Sequence, residues 1–315
     1  MRHLKLLALA AWTLASACGL TMSAAAPTSL PAPTAAAEVY AAWPFDGAEA
    51  LGRQKQTTAK LGIPAETAIS LPGGKSMLLV LIPAGQFVMG SPEAESLRGR
   101  TEFQHTVRIT HAFYLAKYVV TQEQWLALMP SNPSLFKTQV DSDRRPVEHV
   151  SYKMVEDDYL PRLQACAPAG WKTRLPTEAE WEYACRAGTA TAFCFGPNIT
   201  TDQANYDGAR ANEGGVETVH RGQTTAVGTF AANNWGLYDM SGNVMQWCQD
   251  NYGDFYRKSP PDDPCNQQAG PGKVLRGGCW IHGPRFCRSA ARYFAAPDYF
   301  AGSIGFRVAM SAATR

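Results

Sequence analysis

Apolar and polar positions along this chain change period three times, and each change marks a kind of element. Between Trp43 and Leu61 apolar residues recur at helical spacing, Asp46 stands where an N-cap belongs, and Gly62-Ile63-Pro64 ends the run. The pattern predicts an accessory helix. From Met77 to Ile82 the apolar run is continuous, a Pro-Ala-Gly turn follows, and Gln86 to Met89 resumes it, which predicts a hairpin. His105 to Thr110 and Phe113 to Val120 read as further strands. Two helices are then announced by their caps: Thr121 opens TQEQWLALM and Thr177 opens TEAEWEYACRAG, with Gln124 and Glu180 at the capping-box position and Gly188 as a stop. Tyr152 to Cys166 predicts a third helix, with Pro161 as a candidate break. Beyond Gly188 the chain is dense in Gly, Asn and Pro, with short strands expected near residues 243–248, 273–280, 287–292 and 305–310. Early helices, an irregular middle and late strands predict an α+β domain.

The N-terminus follows a different logic. Arg2, His3 and Lys5 precede a short apolar run, Leu6 to Ala17, and a small-residue site at Ser23-Ala24-Ala25. This is the pattern of a signal peptide over residues 1–25, too short to span a membrane as a helix. Export to the periplasm or the medium is the expectation. Ala15-Ser16-Ala17-Cys18 is an imperfect lipoprotein box, so a lipid anchor at Cys18 stands as the alternative. Residues 26–42 read as an Ala/Pro-rich flexible linker, 43–76 as the accessory helix and a connector, and 77–312 as the main domain. The charge balance, 29 basic against 27 acidic residues, carries no nucleic-acid or polybasic membrane signal. No phosphate loop, HExxH helix or local Ser-His-Asp signature is present.

Four blocks of sequence, in order, carry a family resemblance: RLPTEAEWEYACRAG (Arg174 to Gly188), WGLYDMSGNVMQWC (Trp235 to Cys248), VLRGGCWIHGPRFCRSAAR (Val274 to Arg292) and IGFRVA (Ile304 to Ala309). From about Met77 to Met310 the chain resembles the formylglycine-generating-enzyme, or sulfatase-modifying-factor, family. The resemblance implies a loop-rich variant of the C-type lectin fold. It also implies copper(I) chemistry in the family's catalytic members, where two cysteines four residues apart follow a GGS turn and bind copper(I), and that site activates oxygen to oxidise a substrate cysteine. Thiolates suit that role because they are soft ligands. Here GG is followed at once by Cys279, and the next cysteine is Cys287, so copper is not expected. In this register Cys279 replaces the small serine and packs as a small hydrophobe. Cys279, His282 and Cys287 are also ligand types for a soft metal, but four ligands in close pairs are lacking.

Further cysteine assignments follow from the resemblance. A family disulfide links the EWEYxCR helix to the residue before AAR, which here is Ser289. Cys287 lies two residues upstream on an expected strand, which keeps a Cys185–Cys287 bridge in play. Cys166 lacks its family partner, whose place is Val308, and Cys194 and Cys265 lie in loops where they could pair. Eight cysteines less Cys18 leave an odd number, so at least one thiol is free or intermolecular.

The resemblance also implies a structural calcium ion. Its ligands would come from Asp239, Gly242, Val244 and Gln246, with Asp239 supplying charge that the family's glutamate provides where Gln246 stands. A loop ordered by hydrogen bonds alone is the alternative. A second family site maps to Asn205 and the carbonyl of Tyr206, without its aspartate. Glu178, Glu180 and Glu182 beside Arg174 and Arg186 read as capping and salt bridges rather than catalytic carboxylates, and Arg276, Arg288, Arg292 and Arg307 as braces for the late strands. Two functions stay open. One is oxidative modification of a protein cysteine, as in a sulfatase, or of a small molecule, with Cys279 and Cys287 as the thiol candidates. The other is a non-catalytic binding or scaffold protein whose loops at 189–223 and 254–272 contact a protein or peptide.

Overall fold

Helix α1 (Gly47–Leu61) begins where the Asp46 carboxylate accepts the Glu49 N–H at 2.9 Å and ends at Gly62, as its sequence predicts. The computed structural model to which it belongs describes residues 30–33, 35–210, 219–253 and 260–313. The signal-peptide segment, with the cleavage site and Cys18, lies outside the described residues. No helix among the described residues is long and apolar enough to cross a membrane.

Strands β1 (Glu66–Leu71), β2 (Lys75–Ile82), β5 (Phe113–Ala116), β11 (Ala309–Ala312) and β6 (Trp171–Arg174) form one sheet in the order β1-β2-β5-β11-β6. Its β2 strand explains the unbroken apolar run: Leu79 and Leu81 enter one core cluster, Val80 and Ile82 the other. A strand covered on both faces needs apolar residues at every position. The expected hairpin between Met77–Ile82 and Gln86–Met89 does not form. Instead β2 pairs with β1 and β5, while β3 (Gly85–Met89) pairs antiparallel with β4 (His105–Ile109). Two adjacent apolar runs cannot reveal which neighbour each will choose. Strand β1 falls in the segment read as a connector, and the linker is not slack throughout: Leu30 is buried and its carbonyl accepts the Trp171 indole N–H at 3.3 Å.

Helix α2 (Gln122–Leu126) and helix α4 (Glu178–Arg186) both carry complete capping boxes. The third expected helix is real but irregular. Met154–Tyr159 winds as a π-helix into helix α3 (Leu160–Gln164), and Pro161 sits within it without breaking it. A second sheet, in the order β10-β7-β8-β9, joins β7 (Met245–Asn251), β8 (Lys273–Arg276), β9 (Arg292–Ala295) and β10 (Ile304–Phe306), with β10 parallel to β7. Residues 287–292 are not a strand. Pro284–Cys287 form a 3-10 turn, and only from Arg292 does β9 begin.

Candidate functional site

The four sequence blocks meet at one buried side chain, Gln246 on β7. Its Oε1 accepts the indole N–H of Trp181 on α4 at 2.8 Å and the Nε–H of Arg307 at 3.1 Å. Its Nε2 donates to the carbonyl of Asp239 at 2.9 Å. Gly277, the first residue of the GG turn after β8, lies against the same group: a Cβ there would stand 3.0 Å from the Trp181 ring and 3.5 Å from Gln246 Nε2. Backbone bonds close the arrangement, from Gly242 N to Gly277 O at 2.7 Å and from Trp280 N to Asn243 O at 3.0 Å.

The residues expected to bind calcium surround this amide. Asp239 is buried, and burial raises its pKa against the opposing pull of the Gly228 N–H, Arg307 and Asn243. Its Oδ2 accepts Gly228 N at 2.9 Å and its Oδ1 accepts Asn243 Nδ2 at 3.3 Å. Gly242 and Val244 are buried in the same loop. Asn205 is also buried; its Nδ2 donates to Gln223 O at 2.9 Å, whereas its Oδ1 has no hydrogen-bond partner. Among the described residues no group of three or more His, Cys, Asp or Glu side chains is placed to hold a metal.

None of the seven described cysteines forms a disulfide. The expected Cys185–Cys287 bridge is therefore absent, because Cys287 lies in the 3-10 turn rather than on a strand face. The residue that meets Cys185 is Ser289, with Sγ and Oγ 3.7 Å apart. Cys194 and Cys265 are likewise unbridged. Cys279 is buried, its sulfur 3.3 Å from Nδ1 of His282, and Cys287 is buried beside the Gly278 backbone. Burial pushes the Cys279 thiol up to about 11 and the Cys287 thiol well above its ordinary value.

The three helix acids hold the scaffold together. Glu180 closes its capping box and takes Arg174 in two bonds of 2.6 and 2.7 Å. Glu178 takes Arg292 at 2.7 and 2.8 Å. Glu182 takes Arg276 and Arg186, all three side chains being buried. Arg288 does not reach the helix; it clamps Glu102 and Glu95 instead. Among the described residues Arg307 pairs with no carboxylate, and its remaining nitrogens bond the carbonyls of Ala116 and Tyr238 at 2.5 Å.

One surface feature was missed in the sequence. A cavity of about 290 Å³ opens between β9 and the loop leading to β10, lined by Met245, His282, Tyr293, Phe294, Tyr299 and Ser303. Tyr293, Phe294 and Tyr299 are 44 %, 39 % and 52 % exposed, unusual for aromatics that have no covering element. The signal was present as four aromatics in Tyr293-Phe294 and Tyr299-Phe300, between the third and fourth family blocks. The loops at 189–223 and 254–272 named as a recognition surface fall partly outside the described residues.

An α+β chain built on a five-stranded sheet whose central strands are buried, with a second sheet and long ordered loops, is a formylglycine-generating-enzyme-like variant of the C-type lectin fold. The family model for the sulfatase-modifying factor enzyme 1-like domain matches residues 70–312, and the chain belongs to that family. The structure of PvdO from Pseudomonas aeruginosa is similar at a TM-score of 0.64 and 31% identity, over 75% of this chain and 94% of that one. The formylglycine-generating enzyme of Streptomyces coelicolor is 36% identical over 177 residues, 53% of each chain. The serine/threonine-protein kinase pkn1 of Chlamydia pneumoniae is 34% identical over 248 residues, 73% of this chain but 37% of the kinase. This chain thus spans little more than a third of that relative.

Proposed function

We propose that the chain is an exported member of the family that recognises a peptide or protein partner at the aromatic cavity beside β9, without copper-dependent thiol oxidation. One observation carries the reading. The two candidate thiols are buried, eight residues apart in sequence, and burial raises the pKa of both, which disfavours a free reactive thiolate. The sulfur of Cys279 faces an imidazole at 3.3 Å. Exposed aromatics around a cavity, by contrast, are the side chains that most often carry binding energy. The N-terminal apolar run and small-residue site support export, with lipid attachment at Cys18 as its anchored form.

A second reading, oxidative modification of a protein cysteine such as a sulfatase's or of a small molecule, is favoured by the Cys279–His282 contact, since His282 lines the cavity. The two readings separate in one set of assays. Reduced, copper-loaded protein is mixed with a Cys-Xaa-Pro-Xaa-Arg peptide while dissolved oxygen is followed. In parallel, peptides with a central Trp, Tyr or Phe are titrated against wild type, Tyr293→Ala with Tyr299→Ala, and Cys279→Ser. The binding reading expects no oxygen uptake, peptide affinity lost in the tyrosine variant and kept in Cys279→Ser. Oxygen uptake that disappears in Cys279→Ser would replace it with the oxidative one.

A further inference from the structure

We propose that the 239–246 loop is locked without a metal ion: the Gln246 amide and the Arg307 guanidinium do the cross-linking that the family resemblance assigns to calcium. A calcium ion takes six to eight oxygen ligands. The side-chain oxygens of Gln246 and Asp239 are already committed. Gln246 Oε1 has both lone pairs occupied, by Trp181 Nε1 at 2.8 Å and Arg307 Nε at 3.1 Å. The Asp239 carbonyl accepts Gln246 Nε2 at 2.9 Å, so an N–H group, not a carboxylate, faces it. Both carboxylate oxygens of Asp239 accept N–H groups, one from Gly228 and one from Asn243. Residue 246 therefore contributes no open oxygen, and those of Asp239 would have to break bonds to do so.

Charge points the same way. Arg307 is fully buried next to this loop; burial lowers its pKa to about 10, and Asp239 opposes that by attraction. A divalent cation placed among these groups would sit beside a buried guanidinium, at a cost that low local polarity magnifies. Gln246 and Arg307 already tie the loop to α4 through Trp181, to β5 through Ala116 and to the 238 turn through Tyr238. These are the elements that a loop-bound ion would otherwise hold together.

The substitution Gln246→Glu tests the lock directly. It removes the donor to the Asp239 carbonyl and puts a carboxylate opposite that carbonyl and the Asp239 side chain. Thermal unfolding is followed in EDTA and in millimolar CaCl2, with NaCl of matched ionic strength as the control, and bound metal is measured by mass spectrometry. Wild type should carry no calcium at this loop and should keep its Tm in EDTA. Gln246→Glu should unfold several degrees lower in EDTA and regain part of that loss in calcium but not in NaCl. Wild-type protein that holds one calcium, lost in Asp239→Asn and retained in Asn205→Ala, overturns the proposal. Calcium lost in Asn205→Ala and retained in Asp239→Asn agrees with it, because the ion then belongs to the Asn205 oxygen. If Gln246→Glu does not fold, the wild-type measurements still decide.

Discussion

Cys185 Sγ and Ser289 Oγ lie 3.7 Å apart in the buried core, a thiol facing a hydroxyl across 104 residues of chain. The Cys185 thiol also lies 3.7 Å from the Met240 carbonyl, and burial pushes its pKa up to about 11. Ser289→Cys should therefore form a disulfide with Cys185 after oxidation. Closing so long a loop should raise stability by roughly 2–4 kcal/mol. Thiol titration of the unfolded protein should find one free thiol fewer than in wild type, because one cysteine has been added and a bridge consumes two. More precisely read by intact mass, the oxidised variant is two hydrogens lighter than its reduced form. A variant that keeps both thiols reactive would mean that the helix and the Ser289 segment are too rigid to approach.

Arg276 ties β8 to α4 through Glu182 and, at 3.5 Å, Glu178, with all three side chains buried. Removing Arg276 leaves two buried acids sharing one cation fewer, Glu182 keeping only Arg186 and Glu178 keeping only Arg292. Arg276→Met should cost roughly 3–5 kcal/mol, well beyond the loss of an exposed pair. The exposed Arg108–Asp262 pair provides the comparison, since both side chains are more than two-fifths exposed. Arg108→Met should change the denaturant midpoint by a few tenths of that amount at most. Equal effects from both variants would contradict the account of the arginines as internal braces.

How much of this could be read beforehand depended on whether a feature was local. Asp46, Thr121 and Thr177 declare their helix starts because capping needs only residues three apart, and each cap forms as its sequence predicts. The β2 run declares a strand but not its partners, because pairing depends on distant chain. Cys287 was misplaced for a similar reason: the Gly283-Pro284 step starts a 3-10 turn and rotates the cysteine away from the path of a strand. The acids of α4 were legible as structural, whereas Arg288 and Arg307 found partners that no periodicity could point to. The cavity at Tyr293 and Tyr299 is built from β9 and a loop folding back beside it, so only the aromatic composition hinted at it.

Stability should fall as pH rises from about 5 to 8, on account of two buried carboxyls. Glu148 is pushed up to about 7, chiefly by burial; Phe136 N–H serves one oxygen at 3.0 Å while Oε2 has no hydrogen-bond partner. Asp250 is also pushed up to about 7, by burial and then by Glu178. The unfolded chain releases these protons near the ordinary carboxyl values, and the folded chain keeps them until about 7. In that interval the folded state binds more protons, so the contribution is complete below the unfolded values and is lost as pH rises through the folded ones. Glu102 works in the opposite sense. Arg288 and its other hydrogen bonds lower its pKa despite burial, so its contribution is lost on acidification. Denaturant midpoints between pH 5 and 8 should slope downward in wild type and less steeply in Glu148→Gln. An unchanged slope would remove Glu148 from the account.

Gly278 is the residue on which the turn into Cys279 depends. Its φ of +70° is left-handed, and a Cβ added there would lie 2.6 Å from Cys287 Sγ and 2.9 Å from Cys287 N. Gly73 has nearly the same φ, +71°, but nothing within 4 Å of its Cβ position. Alanine at either site meets the left-handed backbone penalty, about 1–2 kcal/mol. Only at 278 must it also displace the backbone of the Pro284–Cys287 turn, an overpacking cost of roughly 1–3 kcal/mol. Gly278→Ala should thus lower the unfolding midpoint by about twice as much as Gly73→Ala. It should also change the packing around Cys279, which a thiol-reactive probe detects as faster labelling of the native protein. If the two variants are equally stable and Cys279 stays unreactive, the 3-10 turn yields more easily than its buried contacts imply, and the Gly278 position carries backbone strain alone.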